Sequence, residues 1–143
     1  MHRLAVLFIL CILPGMGFAQ FSEEAEEPAN YIKKSIYFGG GSYQIDSWQA
    51  RELHNFIDSL VSIDAYEITI HSYTDNIGGA EYNAWLSDMR SRAVIYLLLQ
   101  KAIPLHQIEN REFGQYNPIY DNSTWEGRRL NRRVDIIFWP LAM

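Results

Sequence analysis

Cysteine is nearly absent from this chain of 143 residues, occurring once, at Cys11. Disulfides and thiolate metal sites are therefore excluded from any part beyond that position, and stability has to come from packing. Positive charge is also in short supply: Lys and Arg number 12 against 17 for Asp and Glu, a formal net charge of −5. A protein that grips nucleic acid or anionic lipid by bulk electrostatics has the opposite balance, so neither is expected as a partner. Beyond the first residues no apolar run reaches the length of a bilayer-spanning helix, and the mature chain is expected to have no transmembrane segment. His54, His71 and His106 lack metal-ligand spacing, Gly39-Gly40-Gly41-Ser42 lacks the lysine of a phosphate loop, and no G-x-S-x-G element occurs. No metal, cofactor or catalytic nucleophile is expected, and the chain reads as a non-enzyme.

What is present is ample core material, with 48% hydrophobic and 14% aromatic residues in a length that suits one domain. Residues 1–19 read as a secretory signal: His2 and Arg3 form a basic start, Leu4 to Leu13 an apolar run, and Gly17-Phe18-Ala19 a small-x-small cleavage site. Cys11 follows Phe8-Ile9-Leu10 inside that run instead of ending it, which argues against lipidation. Removal of the leader takes away Arg3 and Cys11, leaving a thiol-free chain. Residues 20–32, with Glu23, Glu24, Glu26, Glu27 and Pro28, read as a mobile acidic arm, and residues 33–139 as the folded domain.

Within the domain, Ser35 to Phe38 suggest a strand closed by the three glycines. A helix capped by Asp46 or Ser47 follows, with Trp48, Leu53, Phe56, Ile57, Leu60 and Val61 as its apolar stripe. Tyr66, Ile68 and Ile70 alternate with polar neighbours, as in a half-buried strand, and Thr74 to Gly79 form a turn. Ala80 to Lys101 carries Leu86, Met89, Ala93 and Leu97 at helical spacing and stops before Pro104. Residues 110–115 and the alternation around Val134, Ile136 and Phe138 complete four strands, and 122–133 read as a solvated turn with local Glu126–Arg pairs. The pattern predicts an α+β two-layer sandwich: a mixed four-stranded sheet with two main helices on one face.

The richest chemistry lies after the second strand. Asn83, Ser87 and Arg90 recur on one face of the long helix, so all three are expected to look into one groove beside Asp75. A guanidinium next to a carboxylate matches a small zwitterion: Arg90 would pair with its carboxylate and Asp75 with its ammonium. On spacing alone the competing reading stands, in which Asp75 makes an Asx turn and Arg90 a surface ion pair. One arginine of the 122–133 stretch joining Arg90 at the groove is a further option.

Three blocks then carry a resemblance: Thr74-Asp75-Asn76-Ile77-Gly78; Asn83-x-x-Leu86-Ser87-x-x-Arg90 with Val94; and Gly114, Pro118-Ile119 and Asn122-x-Thr124-x-x-Gly127-Arg128 leading to Asn131-Arg132-Arg133-Val134. They resemble the peptidoglycan-binding domain shared by outer-membrane protein A, peptidoglycan-associated lipoprotein and the flagellar stator protein MotB. The resemblance implies non-covalent binding of the diaminopimelate of the stem peptide by Asp75 and Arg90, with Thr74, Asn83 and Arg132 lining the pocket. It also implies a place in the periplasm or on the periplasmic face of the outer membrane, peptidoglycan as partner, and an outer-membrane or envelope-complex protein as a further partner. The alternative is an interaction module of an envelope complex that keeps the fold without the ligand. The chain departs from the family pattern at Ser72-Tyr73, where glycine-histidine is usual, and at Gly39, where many members carry an acid. Both departures bear on the pocket rim. Truncating Asp75 or Arg90 is expected to abolish binding and leave the fold intact.

Overall fold

The computed structural model describes residues 30–141. The leader, Cys11 and all but the end of the acidic arm lie outside the described residues. The elements are β1 (Ile32–Tyr37), α1 (Ser47–Ser59), β2 (Tyr66–Tyr73), α2 (Ala80–Gln100), β3 (Ile108–Gly114), α3 (Trp125–Asn131) and β4 (Arg133–Pro140), with single 3-10 turns at Ile63–Ala65 and Leu105–Gln107. No described helix is long and apolar enough to cross a membrane.

The sheet is mixed, with order β1-β4-β2-β3: β4 runs antiparallel to both neighbours, and β2 and β3 are parallel. Ile36, Ile68, Ile70, Val134, Ile136 and Phe138 project from one face onto Leu53 and Ile57 of α1 and Val94 and Leu98 of α2. Burial of that apolar surface is the main force joining sheet to helices. The two-layer architecture expected from the pattern is thus the observed one, with α3 as an addition. That helix was not foreseen because it has only seven residues, a central glycine and little apolar periodicity; Thr124 starts it by accepting the Gly127 N–H at 2.9 Å.

Several local expectations are corrected. Trp48 and Val61 leave the α1 stripe and are 63% and 106% exposed, because only Leu53, Phe56, Ile57 and Leu60 face the sheet. Asp46, not Ser47, is the N-cap, accepting the Gln49 N–H at 2.9 Å. The Gln49 amide in turn closes the free edge of β1, accepting from the Tyr37 N–H at 2.8 Å and donating to the Tyr37 carbonyl at 3.0 Å. β2 and β4 are central strands, and both of their faces are largely buried. Among the described residues no second helical layer covers the far face. Its own side chains do so: Tyr73 stacks on Phe113 at 5.2 Å, Arg133 lies 4.2 Å over Tyr73, and the Trp139 indole N–H donates to Thr69 at 2.8 Å.

At one end of the sheet the register slips between Ser72 and Tyr73, with Phe113 as the extra residue of β3. The bulge ends the regular pairing where β2 must turn into Thr74 and Asp75, and Gly114, at φ 55°, completes it. Gly127 is a second tight position. A Cβ there would collide with the Asp121 carbonyl oxygen, which belongs to backbone and cannot yield. Gly127→Ala should therefore lower stability by about 2–3 kcal/mol through overpacking, a shift in the midpoint of urea unfolding with unchanged slope.

Candidate functional site

The C-terminal ends of β1 and β2, the first half of α2 and the junction of α3 with β4 meet at one end of the sheet. They enclose a cavity of about 300 Å³ lined by Gly40, Gly41, Asp75, Ile77, Gly78, Tyr82, Asn83, Leu86, Arg90, Arg128 and Arg132. Asp75 and Arg90 therefore share one cleft, as do Asn83 and Arg132. Thr74 does not line it. That residue is 1% exposed, its N–H bound to the Gly114 carbonyl at 2.8 Å, and its hydroxyl oxygen is buried with no hydrogen-bond partner.

Asp75 is held at both oxygens. Oδ1 accepts the Ile77 N–H at 3.1 Å, an Asx turn, and Oδ2 accepts from Arg132 Nη1 at 3.0 Å. The competing reading was thus half right: the Asx turn exists, yet its carboxylate is also a buried ion-pair partner. Arg132 is fixed further by donation from Nε to the Phe38 carbonyl at 3.1 Å. Its neighbour Arg133 points to the opposite sheet face, where it pairs with Asp135 at 3.1 Å. Arg132 closes α3 and Arg133 opens β4, which separates the two arginines.

Arg90 is not a surface residue at all. It is fully buried, with Nε donating to the Ser42 carbonyl at 2.9 Å, Nη1 to Tyr73 at 3.2 Å and Nη2 to Gly39 at 3.0 Å. A guanidinium has five N–H groups, and these three carbonyls take three of them where Arg90 meets the cavity. The Phe38 ring lies 5.0 Å from it. Burial pulls its pKa down to about 10; Asp75 opposes the fall and Arg132 adds to it. Arg90 therefore stays charged at neutral pH in surroundings short of negative charge. Gly39, the position where the family often has an acid, contributes its carbonyl instead of a carboxylate.

Asn83 is 1% exposed and donates to the Ile77 carbonyl at 3.1 Å and to Gln115 at 2.8 Å, which leaves its Oδ1 buried and without a partner. Ser87 is a correction. It faces the sheet instead of the groove, donating to the Ser72 carbonyl at 3.1 Å while Ser72 donates to the Ser87 carbonyl at 2.8 Å. The pair clamps α2 to β2, and Ser72, which replaces the family's usual glycine, makes it possible. Gly78 at φ 97° brings the turn against the Tyr82 ring, a conformation that disfavours any side chain.

Arg128 and Tyr82 were missed as cavity residues. Arg128 is anchored by donation to the Asn122 and Ser123 carbonyls at 2.9 and 3.1 Å. Its signal was its place in the block that ends at Arg133, but five charged groups in one stretch could not be sorted by spacing. Arg129 alone makes the surface pair expected there, with Glu126. The cavity thus sets one carboxylate among three guanidiniums, an excess of positive charge that suits a ligand with more anionic than cationic groups. Among the described residues no cluster of His, Cys, Asp or Glu could hold a metal ion.

An open mixed sheet with helices on one face ends in a small cleft that sets three guanidiniums around one carboxylate among the described residues. The chain belongs to the OmpA family, whose pattern matches residues 37–132. It is 30% identical over 106 residues to the outer-membrane lipoprotein YfiB of Pseudomonas aeruginosa, covering 74% of this chain and 63% of that protein. It is 33% identical over 102 residues to the peptidoglycan-binding protein ArfA of Mycobacterium tuberculosis, covering 71% of this chain and 31% of that one. Among solved structures, the peptidoglycan-associated lipoprotein of Burkholderia pseudomallei superposes with a TM-score of 0.68 at 28% identity, over 73% of this chain and 89% of the other. The chain spans about a third to two thirds of the length of these two curated relatives.

Proposed function

We propose that this protein binds peptidoglycan non-covalently, through the diaminopimelate of the stem peptide, and that it serves the organisation or anchoring of the cell envelope. The observation that carries the reading is the cavity itself: the Arg90 guanidinium, Asp75 and Asn83, whose buried Oδ1 has no hydrogen-bond partner, line one cleft. A ligand carboxylate meets the guanidinium, and a ligand ammonium meets the two acceptors. Thr74 supports the site from behind, its buried hydroxyl within the same turn. Of the relatives, ArfA is named for binding peptidoglycan, the Burkholderia protein for associating with it, and YfiB for its outer-membrane place. These names support a periplasmic location, or one on the periplasmic face of the outer membrane, and a binding role without catalysis. An outer-membrane or envelope-complex protein is the further partner.

Charge-assisted bonds contribute about 1.5–3 kcal/mol each, against which a small ligand loses its freedom of motion, so single-site affinity should fall between about micromolar and millimolar. Calorimetric titration of the wild type with a diaminopimelate-containing muropeptide checks this. A saturable heat in that range is expected; no heat at millimolar ligand would leave the interaction-module alternative in its place.

A further inference from the structure

We propose that the exposed rings of Tyr43, Tyr82 and Trp85, beside the cavity, form a second subsite that stacks against the sugar of the polymer whose peptide enters the cavity. The inference rests on the cavity reading above and extends it from the peptide to the glycan.

Tyr82 and Trp85 stand three residues apart on one side of α2, with ring centroids 5.7 Å apart and planes inclined by 35°. Tyr43, on the loop between β1 and α1, meets the Trp85 ring edge-on at 5.9 Å. The three rings are 39%, 44% and 47% exposed for Tyr43, Tyr82 and Trp85, so they pack on one another in water instead of filling the core. Neither tyrosine hydroxyl nor the indole N–H of Trp85 has a hydrogen-bond partner in the described residues. Large rings with apolar faces and free polar tips match a pyranose, which presents C–H groups on its faces and hydroxyls around its rim. None of the three carries a formal charge. The patch therefore suits the uncharged part of the polymer better than its carboxylates.

Continuity with the cavity decides the occupant. Tyr82 belongs to both features, lining the cleft with Asp75 and Arg90 and touching Trp85 on its outer side. Polymer attached to a group in the cavity and leaving past Tyr82 crosses these rings. The platform is also preformed. The loop that carries Tyr43 is held by Arg90 at the Gly39 and Ser42 carbonyls and by Arg132 at Phe38, so little ordering is needed when the ligand arrives.

The test compares a diaminopimelate-containing disaccharide-tripeptide with the same tripeptide released from its sugar, titrated into the wild type, Trp85→Ala and Trp85→Phe. The wild type should bind the sugar-bearing form about five- to tenfold more tightly. Trp85→Ala should bind both forms as the wild type binds the bare tripeptide, and Trp85→Phe should recover most of the difference. Equal binding of the two forms by the wild type, or an undiminished preference in Trp85→Ala, overturns the proposal. Should the tripeptide itself fail to bind the wild type, the cavity reading falls, and peptide-free glycan strands then judge the rings alone. Strand binding that Trp85→Ala removes sustains the subsite; no strand binding overturns it.

Discussion

Replacing Asp75 by alanine is expected to abolish co-sedimentation with purified sacculi and to weaken muropeptide binding by about 30-fold to 4,000-fold, the range for leaving a desolvated charge without its partner. The carboxylate is the only acid among the described residues that line the cavity, so its removal leaves Arg90, Arg128 and Arg132 there without an anionic neighbour and, on the proposed reading, takes away one of the two ammonium acceptors. Structure suffers as well. The Asp75 and Arg132 side chains are only 10% and 14% exposed, and the Ile77 N–H loses its acceptor. Asp75→Asn is the cleaner variant because its side-chain oxygen can keep the Ile77 bond while the charge is gone. It should unfold near the wild-type temperature and still fail to sediment. Sedimentation of Asp75→Asn with sacculi at the wild-type level would defeat the assignment.

Arg90→Leu should lose binding to a similar extent and should also lower the melting temperature by about 10 °C. The carbonyls of Gly39, Ser42 and Tyr73 are left without this donor, and the buried one, of Tyr73, costs about 1–3 kcal/mol because water cannot reach it. The fold is expected to persist at a lower melting temperature, because the same guanidinium anchors the loop after β1 and lines the cavity. The charge itself works in the other direction. With a folded-state pKa lowered to about 10, the guanidinium is held at a disadvantage relative to the unfolded chain throughout the neutral range. That disadvantage fades only as pH rises above about 10. A bound carboxylate removes it at neutral pH, so muropeptide should raise the melting temperature of the wild type and leave that of Arg90→Leu unchanged. Arg90→Lys separates the two roles: it keeps a cation over part of the carbonyl set, and lacks the planar fork that a carboxylate needs. Partial recovery of stability without recovery of binding is the expected result.

Much of this was legible in the residue pattern. The period-2 run of β2 and the turn at Thr74 to Gly79 report local periodicity, and local periodicity survives folding when the tertiary environment agrees with it. The α2 stripe holds at Leu86 and in part at Leu97, whereas Met89 and Ala93 are half-buried and Val94 and Leu98 take the core positions. The departures share a cause. Trp48 and Val61 sit at the margins of a helical stripe, and the sheet's width decides how far burial reaches. Ser87 has groove-compatible spacing with Asn83 and Arg90, yet 3.6-residue geometry turns it toward β2, where the Ser72 carbonyl accepts from its hydroxyl and the Ser72 hydroxyl donates to its carbonyl. α3 escaped notice because a short helix held by one threonine cap and a close glycine contact has little periodic signal.

Spacing within one turn and one helix made a groove shared by Asp75 and Arg90 possible and left the competing reading open; the structure puts both in the wall of one cavity, with Arg132 as the partner of the carboxylate. The partition of the arginines from 128 to 133 was open until the chain closed. β4 enters between β1 and β2, and that long-range insertion turns Arg132 toward Asp75, Arg133 toward Asp135 and Arg128 into the cavity wall. Arg132 closes α3 and Arg133 opens β4, so the two side chains leave from different elements and reach different partners. Which face holds the site depends on strands about sixty and a hundred residues away in sequence, a separation that no local pattern encodes.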